Sequence, residues 1–466
     1  MNGQVISNRE GVSDVIMQEA LPGIKRFLKP LGLPERVAAL TIRCLAAFTL
    51  HWGRMSAVYA SGAVRSEPRH RAQICRFLGR KYWRKMGIVS VLQSELLALE
   101  SKKGRFVFLT DQTLCSQQGD KTENTYSSGN RQRRPRKGRR YNKYKYTRKR
   151  CHCFVMGLLL TPSGVRIPFR RSYYTKEYCQ QKDRPYRKQT ELAAEMILEL
   201  PLPEGADVVV LGDTAFDAQV IRVACAKRDY TWIVPLNPER VLAGPKPRPQ
   251  VWSLAKGLTA QQLKPVRLYP SRGRYVAMRR VSAYRLGPKV KPRTFYVHQE
   301  SRDVHSVGEV LLVFSTRTCP SAGLKLDVQK ILMTNDRSLT AAAVVELYDL
   351  RWQIELFFKE LKSTLGFDQY RFRQFERVES WLELVLVTFL YLEWHRARQL
   401  SRLSLSEEEQ ERWRRQRTHG LCMAMRQETE RADLNYLAEA VQTKGGIRRL
   451  RHKLSQVIQR EYRVAA

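Results

Sequence analysis

The stretch AAAVVELYDLRWQIELFFKELKSTLG, residues 341–366, decides the fold, because both a core and a set of reactive groups can be placed from it. It holds no glycine or proline before Gly366 and is rich in Ala, Leu, Glu and Lys, so one long α-helix stopped by that glycine is expected. At about 100° per residue, Leu347, Leu350, Ile354, Phe357, Phe358, Leu361 and Leu365 gather on one broad apolar arc that must face a core. Tyr348, Arg351, Glu355 and Lys362 then fall in a sector roughly 60° wide along one border of that arc. Arg351 and Glu355 taken alone would be an ordinary surface pair one turn apart.

Outward from this helix, the composition speaks first. The 466 residues carry 83 Lys and Arg against 44 Asp and Glu, a formal charge of +39. Such self-repulsion opposes compaction unless a polyanion offsets it, so nucleic acid is the expected partner. A membrane surface fits less well, because the charge is spread along the chain and does not flank an anchor. Residues 381–394 are apolar but short and contain Glu383 and Glu393, which suits a buried helix and not a membrane span. The opening MNGQVISNREGVSDV is polar, so an intracellular protein is expected. The nine cysteines form no Cys-x2-Cys pair. Cys151, His152 and Cys153 sit at the start of an expected strand, where neighbours point to opposite faces, so reduced thiols are expected and not a shared zinc.

Two further acids stand out along the chain. Residues 105–110, RFVFLT, read as a buried strand that runs into Asp111, and acids at the C-terminal ends of such strands are where α/β folds display ligand-binding groups. Residues 207–211 read as an interior strand ending at Gly212-Asp213. Asp217 is a rival four residues on, better suited to capping the helix expected over 218–227. Between the two acids come a segment without hydrophobic period over 114–150, a hairpin over 153–173 and a helix over 186–200. Twelve of the twenty residues 131–150 are Lys or Arg, with three tyrosines and no acid. Arg131, Arg133, Arg134, Arg136, Lys137, Arg139 and Arg140 are therefore candidate DNA contacts, ordering on a phosphate backbone. A strand over 230–235 follows, then strand-like runs at 275–286, 294–298, 310–315 and 331–333, a mostly β insertion ahead of the central helix. Residues 1–100 read as basic helices at 23–31, 35–51, 70–80 and 86–99; residues 371–396 read as a further helix, and 401–466 as helical and basic.

Tyr348-x2-Arg351-x3-Glu355-x6-Lys362, with Asp111 in an Asp-x-Thr context and Asp213 in Asp-x-x-Phe, resembles the Tyr-Arg-Glu-Lys (YREK) signature of the type-4 bacterial insertion-sequence transposases. That group of DDE enzymes includes hairpin-forming cut-and-paste elements. The resemblance covers roughly residues 105–395 and implies an α/β fold with a ribonuclease-H-like core in two parts, 101–240 and 331–400, around a β-rich insertion at 241–330. It implies a helical DNA-end-binding domain over 1–100 and a helical basic region over 401–466. Three carboxylates brought together repel unless cations sit between them, and an all-oxygen site suits Mg²⁺, with Mn²⁺ as a substitute. Asp111, Asp213 and Glu355 are thus the expected catalytic and metal-binding residues, holding two ions per site for phosphoryl transfer. Arg351 and Lys362 are assigned to terminal phosphates and Tyr348 to a phosphate or displaced base. The aromatic expected to hold a flipped base is left open between Trp352, Trp232 and Trp252. The implied partners are transposon ends and target DNA bound by a homodimer in a synaptic complex, in the bacterial cytoplasm at the nucleoid. A related nuclease or resolvase that cuts without joining, and an inactive DNA-binding derivative, are the alternatives.

Neutralising the basic residues of 131–150 is expected to weaken DNA binding and to reduce the slope of log affinity against log salt by about 0.9 for each phosphate that is no longer neutralised. A salt titration that returns the parent's slope would mean that this run does not touch DNA.

Overall fold

The computed structural model describes residues 20–51, 55–56, 60, 71–80, 87–100, 103–117, 121–132, 145–237, 239–268, 293–318, 330–401, 405–406, 408–410, 413, 416–443 and 445–448, with the backbone alone for those within 128–149. The chain divides into two compact units, residues 97–358 and residues 1–96 together with 359–466.

Helices α1 (Ile24–Leu28), α2 (Glu35–Leu50), α3 (Arg71–Leu78) and α4 (Ile88–Leu97) precede the first strand. The unit 97–358 is built on one mixed sheet of ten strands: β1 (Phe106–Ser116), β2 (Tyr126–Gln132), β3 (Lys145–Leu160), β4 (Arg166–Ser172), β5 (Val208–Leu211), β6 (Thr231–Pro235), β7 (Lys264–Leu268), β8 (Arg293–Val304), β9 (Gly308–Thr316) and β10 (Lys330–Thr334). Their spatial order is β2-β3-β1-β5-β6-β10-β9-β8-β7, with β4 also on β3. β1, β5 and β6 are mutually parallel and every other pairing is antiparallel. The parallel centre follows from residue choice: all of β5, VVVL, is buried, as a strand covered on both faces must be. Connecting it are α5 (Lys176–Gln181), α6 (Gln189–Leu198), α7 (Gln219–Lys227) and α8 (Trp252–Lys256).

β1 does not stop at Asp111. Its parallel pairing with β5 ends at Leu109, but its antiparallel pairing with β3 continues to Ser116. Asp111 therefore lies inside a strand, at the point where one of its two ladders ends. The segment 114–150 also carries more structure than its polarity suggests. Residues 126–132 and 145–151 pair as a two-stranded ribbon beyond the end of β1, and β3 then runs on into the hairpin with β4. Backbone pairing across a ribbon needs no alternating apolar face, so hydrophobic periodicity could not signal it. Arg131 lies on this ribbon, whereas Arg133, Arg134, Arg136, Lys137, Arg139 and Arg140 fall outside the described residues.

The strands read from the insertion extend this same sheet. β8, β9 and β10 cover the runs at 294–298, 310–315 and 331–333, each longer than its apolar kernel, while 275–286 lies outside the described residues. Residues 341–366, expected as one helix, form two: α9 (Ala341–Asp349) and α10 (Trp352–Ser363). The amides of Leu350, Arg351, Gln353 and Ile354 bond back three residues instead of four, tightening the chain between the two helices. No glycine or proline marks this turn. The Arg351 side chain at its centre reaches acids on two elements, a tertiary demand that outweighs good helix propensity. At the far end Gly366 adopts φ 68° and the Phe367 amide bonds back to Leu361, the expected glycine stop.

The unit formed by residues 1–96 and 359–466 is helical in its described parts, including α11 (Phe375–Leu400) and α12 (Thr418–Gln442). Trp381 packs edge-on against Phe48 at 4.9 Å, and Tyr391 donates to the carbonyl of Pro22. Glu393, read as too polar for a membrane segment, is buried in an ion pair with Arg396. Among the described residues no helix is long and apolar enough to cross a membrane.

Gly157 shows how tightly the sheet is covered beside Asp111. A Cβ there would come within 2.4 Å of the Phe108 ring, which packs edge-on against Phe169. Gly157→Ala is expected to destabilise this unit by about 1–3 kcal/mol, read by urea unfolding; an unchanged midpoint would mean that Phe108 has room to move.

Candidate active site

Asp111 and Asp213 emerge side by side because of strand register. Leu109 and Leu211 form the last parallel rung of β1 and β5, and each aspartate stands two residues beyond it. One Asp111 oxygen accepts the Gln112 amide at 2.7 Å, and one Asp213 oxygen accepts the Ala215 amide at 2.9 Å. The Asp-x-x-Phe spacing has a local explanation: Phe216 is buried against Gly212, where a Cβ would lie 2.8 Å from that side chain, and the short helical turn between them aims Asp213 outward.

The two helices close the site from the other side. Tyr348, at the end of α9, is buried and directs its hydroxyl to the carbonyl of Gly212 at 3.4 Å, which ties the helix to the tip of β5. Arg351 bonds Glu355 at 2.5 Å and also lies 3.9 Å from Asp111, so one guanidinium stands between an acid on the sheet and an acid on the helix. Asp111 is pushed up to about 6 by burial first and then by Asp213, against the Gln112 amide and Arg351, with Glu355 adding to the rise. Burial raises the Tyr348 phenol well above its ordinary value.

A divalent cation fits part of this arrangement. Asp111 and Asp213 are a crowded pair of hard oxygen donors, and a cation would stabilise the charge on Asp111 that burial first and Asp213 second disfavour. Among the described residues, however, no three His, Cys, Asp or Glu side chains are grouped so as to hold a metal ion. Glu355 is engaged by Arg351 in place of converging with the aspartates.

Lys362 follows Glu355 by seven residues on α10, two turns along the same face. Asp217 is not the helix cap expected of it. Its buried carboxylate bonds Arg222 at 2.6 Å and Arg240 at 3.0 Å, linking α7 to the chain beyond β6. Sequence spacing carried no sign of Arg240, which lies 23 positions away. Lys330 at the start of β10 had no signal in the spacing either, although its ammonium lies 4.8 Å from the centroid of the Tyr348 ring. Cys151 bonds the Tyr126 carbonyl and His152 the Glu123 carbonyl, and burial lowers the His152 imidazole to about 4, leaving it neutral. Among the described residues the cysteines form no disulfide.

Two strand-borne aspartates facing a helix-borne glutamate across an arginine, in a chain of charge +39, define an acidic centre suited to chemistry on a polyanion. The transposase DDE domain family model matches residues 110–391, more than half of the chain and a span that takes in every residue from Asp111 to Lys362. The chain belongs to that family: it is a transposase, an enzyme whose substrate is DNA. No curated protein sequence matches it.

The folded-state pKa of Asp111 lies above its ordinary value of 3.8, so ionising it costs stability. That cost is absent at about pH 4 and below, grows as pH rises, and is complete above about pH 6. In metal-free buffer Asp111→Asn is expected to be more stable than the parent at about pH 7.5, by up to about 3 kcal/mol, with the gap narrowing at about pH 5. Urea unfolding at the two pH values measures this; a gap independent of pH would mean that Asp111 is not crowded.

Proposed function

We propose that the chain is a type-4, YREK-signature insertion-sequence transposase that cuts and joins DNA ends by cut-and-paste transposition. The observation that carries this reading is the shared Arg351 guanidinium, which joins Asp111 and Glu355 beside Asp213. A ribonuclease-H-like core is supported by the strand order β4-β3-β1-β5-β6, three antiparallel strands followed by two parallel to β1.

In this reading Asp111 and Asp213 hold divalent cations, Mg²⁺ or Mn²⁺, and Glu355 completes the set. Bound there, the cations would acidify the attacking oxygen and neutralise charge on the leaving one. Arg351 is the residue that couples substrate to the site. A DNA phosphate competes with Glu355 for its guanidinium and, with its bidentate geometry, draws it away, freeing the glutamate carboxylate to turn towards the aspartates. Tyr348, anchored through its hydroxyl to Gly212, fixes the helix at the depth this exchange requires. Lys362, further along the same helix, adds a point charge for the neighbouring phosphates.

Cleavage by water, attack of the freed 3′-hydroxyl on the opposite strand to form a hairpin, and attack on target DNA are the same displacement at phosphorus with three nucleophiles, so one site can serve all of them. Of the three tryptophans considered for a displaced base, Trp352 is half-exposed next to Arg351, whereas Trp232 is buried, which favours Trp352. The helical N-terminal region is assigned to element ends, the ribbon of β2 and β3 with its basic run to flanking phosphates, and the working form to a dimer that pairs two ends in the bacterial cytoplasm at the nucleoid.

Glu355→Gln is expected to lower strand cleavage in Mg²⁺ by at least about a thousandfold while end binding is retained. Cleavage that persists would remove Glu355 from the reaction, and cut ends that never join a second DNA would point to a nuclease. The assay duplex is taken from the sequences that flank the reading frame, where inverted repeats are expected.

A further inference from the structure

Lys330 is the first residue of β10 and precedes the Tyr348 signature by eighteen positions. It pairs across the ladder with Ser315, whose hydroxyl donates to the Lys330 carbonyl, so its backbone is held at the sheet while its side chain is only partly covered. Among the described residues its ammonium forms no ion pair; it lies over the ring of Tyr348, whose hydroxyl reaches Gly212 beside Asp213. Arg317, two residues past Ser315, stands over the Phe295 ring. Partial burial lowers the Lys330 pKa, and Arg351 and then Arg317 lower it further, with only Glu355 opposing. Lys330 on β10, Arg317 just past β9 and Arg351 at the α9–α10 turn therefore repel one another, and the carboxylate that opposes this at Lys330, Glu355, is already bonded to Arg351, so an arriving anion would relieve the repulsion.

We propose that Lys330, with Arg317 beside it, is a phosphate-binding residue of the active site, its ammonium over the Tyr348 ring taking a phosphodiester next to the one that reacts. The inference rests on the reading of Asp111, Asp213 and Glu355 as the phosphoryl-transfer centre, and extends it to a wall of the site formed by β9 and β10. An ammonium suits this place: it needs no fixed fork geometry and can follow a phosphate as the strand shifts between cleavage and joining. A surface lysine resting on a ring by cation–π attraction alone would have no effect on DNA.

Lys330→Met keeps an apolar stem on Tyr348 and removes only the charge. Binding of a 5′-phosphorylated duplex, taken from either flank of the reading frame, is measured across a salt series for the parent, Lys330→Met, Lys330→Arg and Glu355→Gln. Lys330→Met is expected to bind about tenfold more weakly at low salt, with the slope reduced by about one, and Lys330→Arg to keep the parent's values. A parent-like slope and affinity in Lys330→Met overturns the proposal. Equal losses in the Met and Arg variants also overturn it, since they would trace the effect to structure and not to charge. Cleavage surviving in Glu355→Gln overturns the reading of the centre instead, and that outcome is scored separately from the salt slopes.

Discussion

The repulsion between Asp111 and Asp213 is the constraint that the neighbouring structure answers. Register places them side by side, because both follow the same parallel rung by two residues, and backbone amides satisfy only one oxygen of each. Burial magnifies the repulsion, since fewer waters screen it. The structure offsets it with a guanidinium: Arg351 is set at a tight turn between two helices, and from there it reaches both Asp111 and Glu355. Breaking the helix gives up regular hydrogen bonding at Leu350 and Arg351, and the ion pairs on either side of the break are what hold that geometry.

The same balance of charge recurs on a larger scale. Asp217 is buried between Arg222 and Arg240, and Glu393 with Arg396, so those arginines are internally matched. Lys330 and Arg317 lie instead over aromatic rings, Lys330 over that of Tyr348 at the acidic centre. In the function proposed above, an excess of positive charge around a small negative centre grips a polyanion along its length while acids handle the reacting phosphate. Fold and charge thus favour one substrate class, in keeping with membership of the transposase DDE domain family.

Much of the site could be read from residue order. An apolar run leading into an acid marks both β1 with Asp111 and β5 with Asp213, whereas the single helical border expected for Tyr348, Arg351, Glu355 and Lys362 is divided between two helices and the turn at Arg351. What could not be read were features made by pairing alone. β1 continues past Asp111 because β3 is there to bond it; the ribbon 126–132 with 145–151 has no apolar face to betray it; and the strands of the insertion join the central sheet through β10 and do not form a layer of their own.

By itself the sequence determined the alternation of strands and helices in the centre of the chain, the three acids and their neighbours, the glycine stop at Gly366 and the need for a polyanionic partner. These follow from local propensity, burial periodicity and summed charge, which act residue by residue. Tertiary structure alone decided that Asp111 lies within a strand, that Asp217 serves a buried pair of arginines, that the helix breaks at Arg351, and that Lys330 meets Tyr348. Each of these depends on groups far apart in the chain competing for the same partner, and that competition has an outcome only once folding has brought them together.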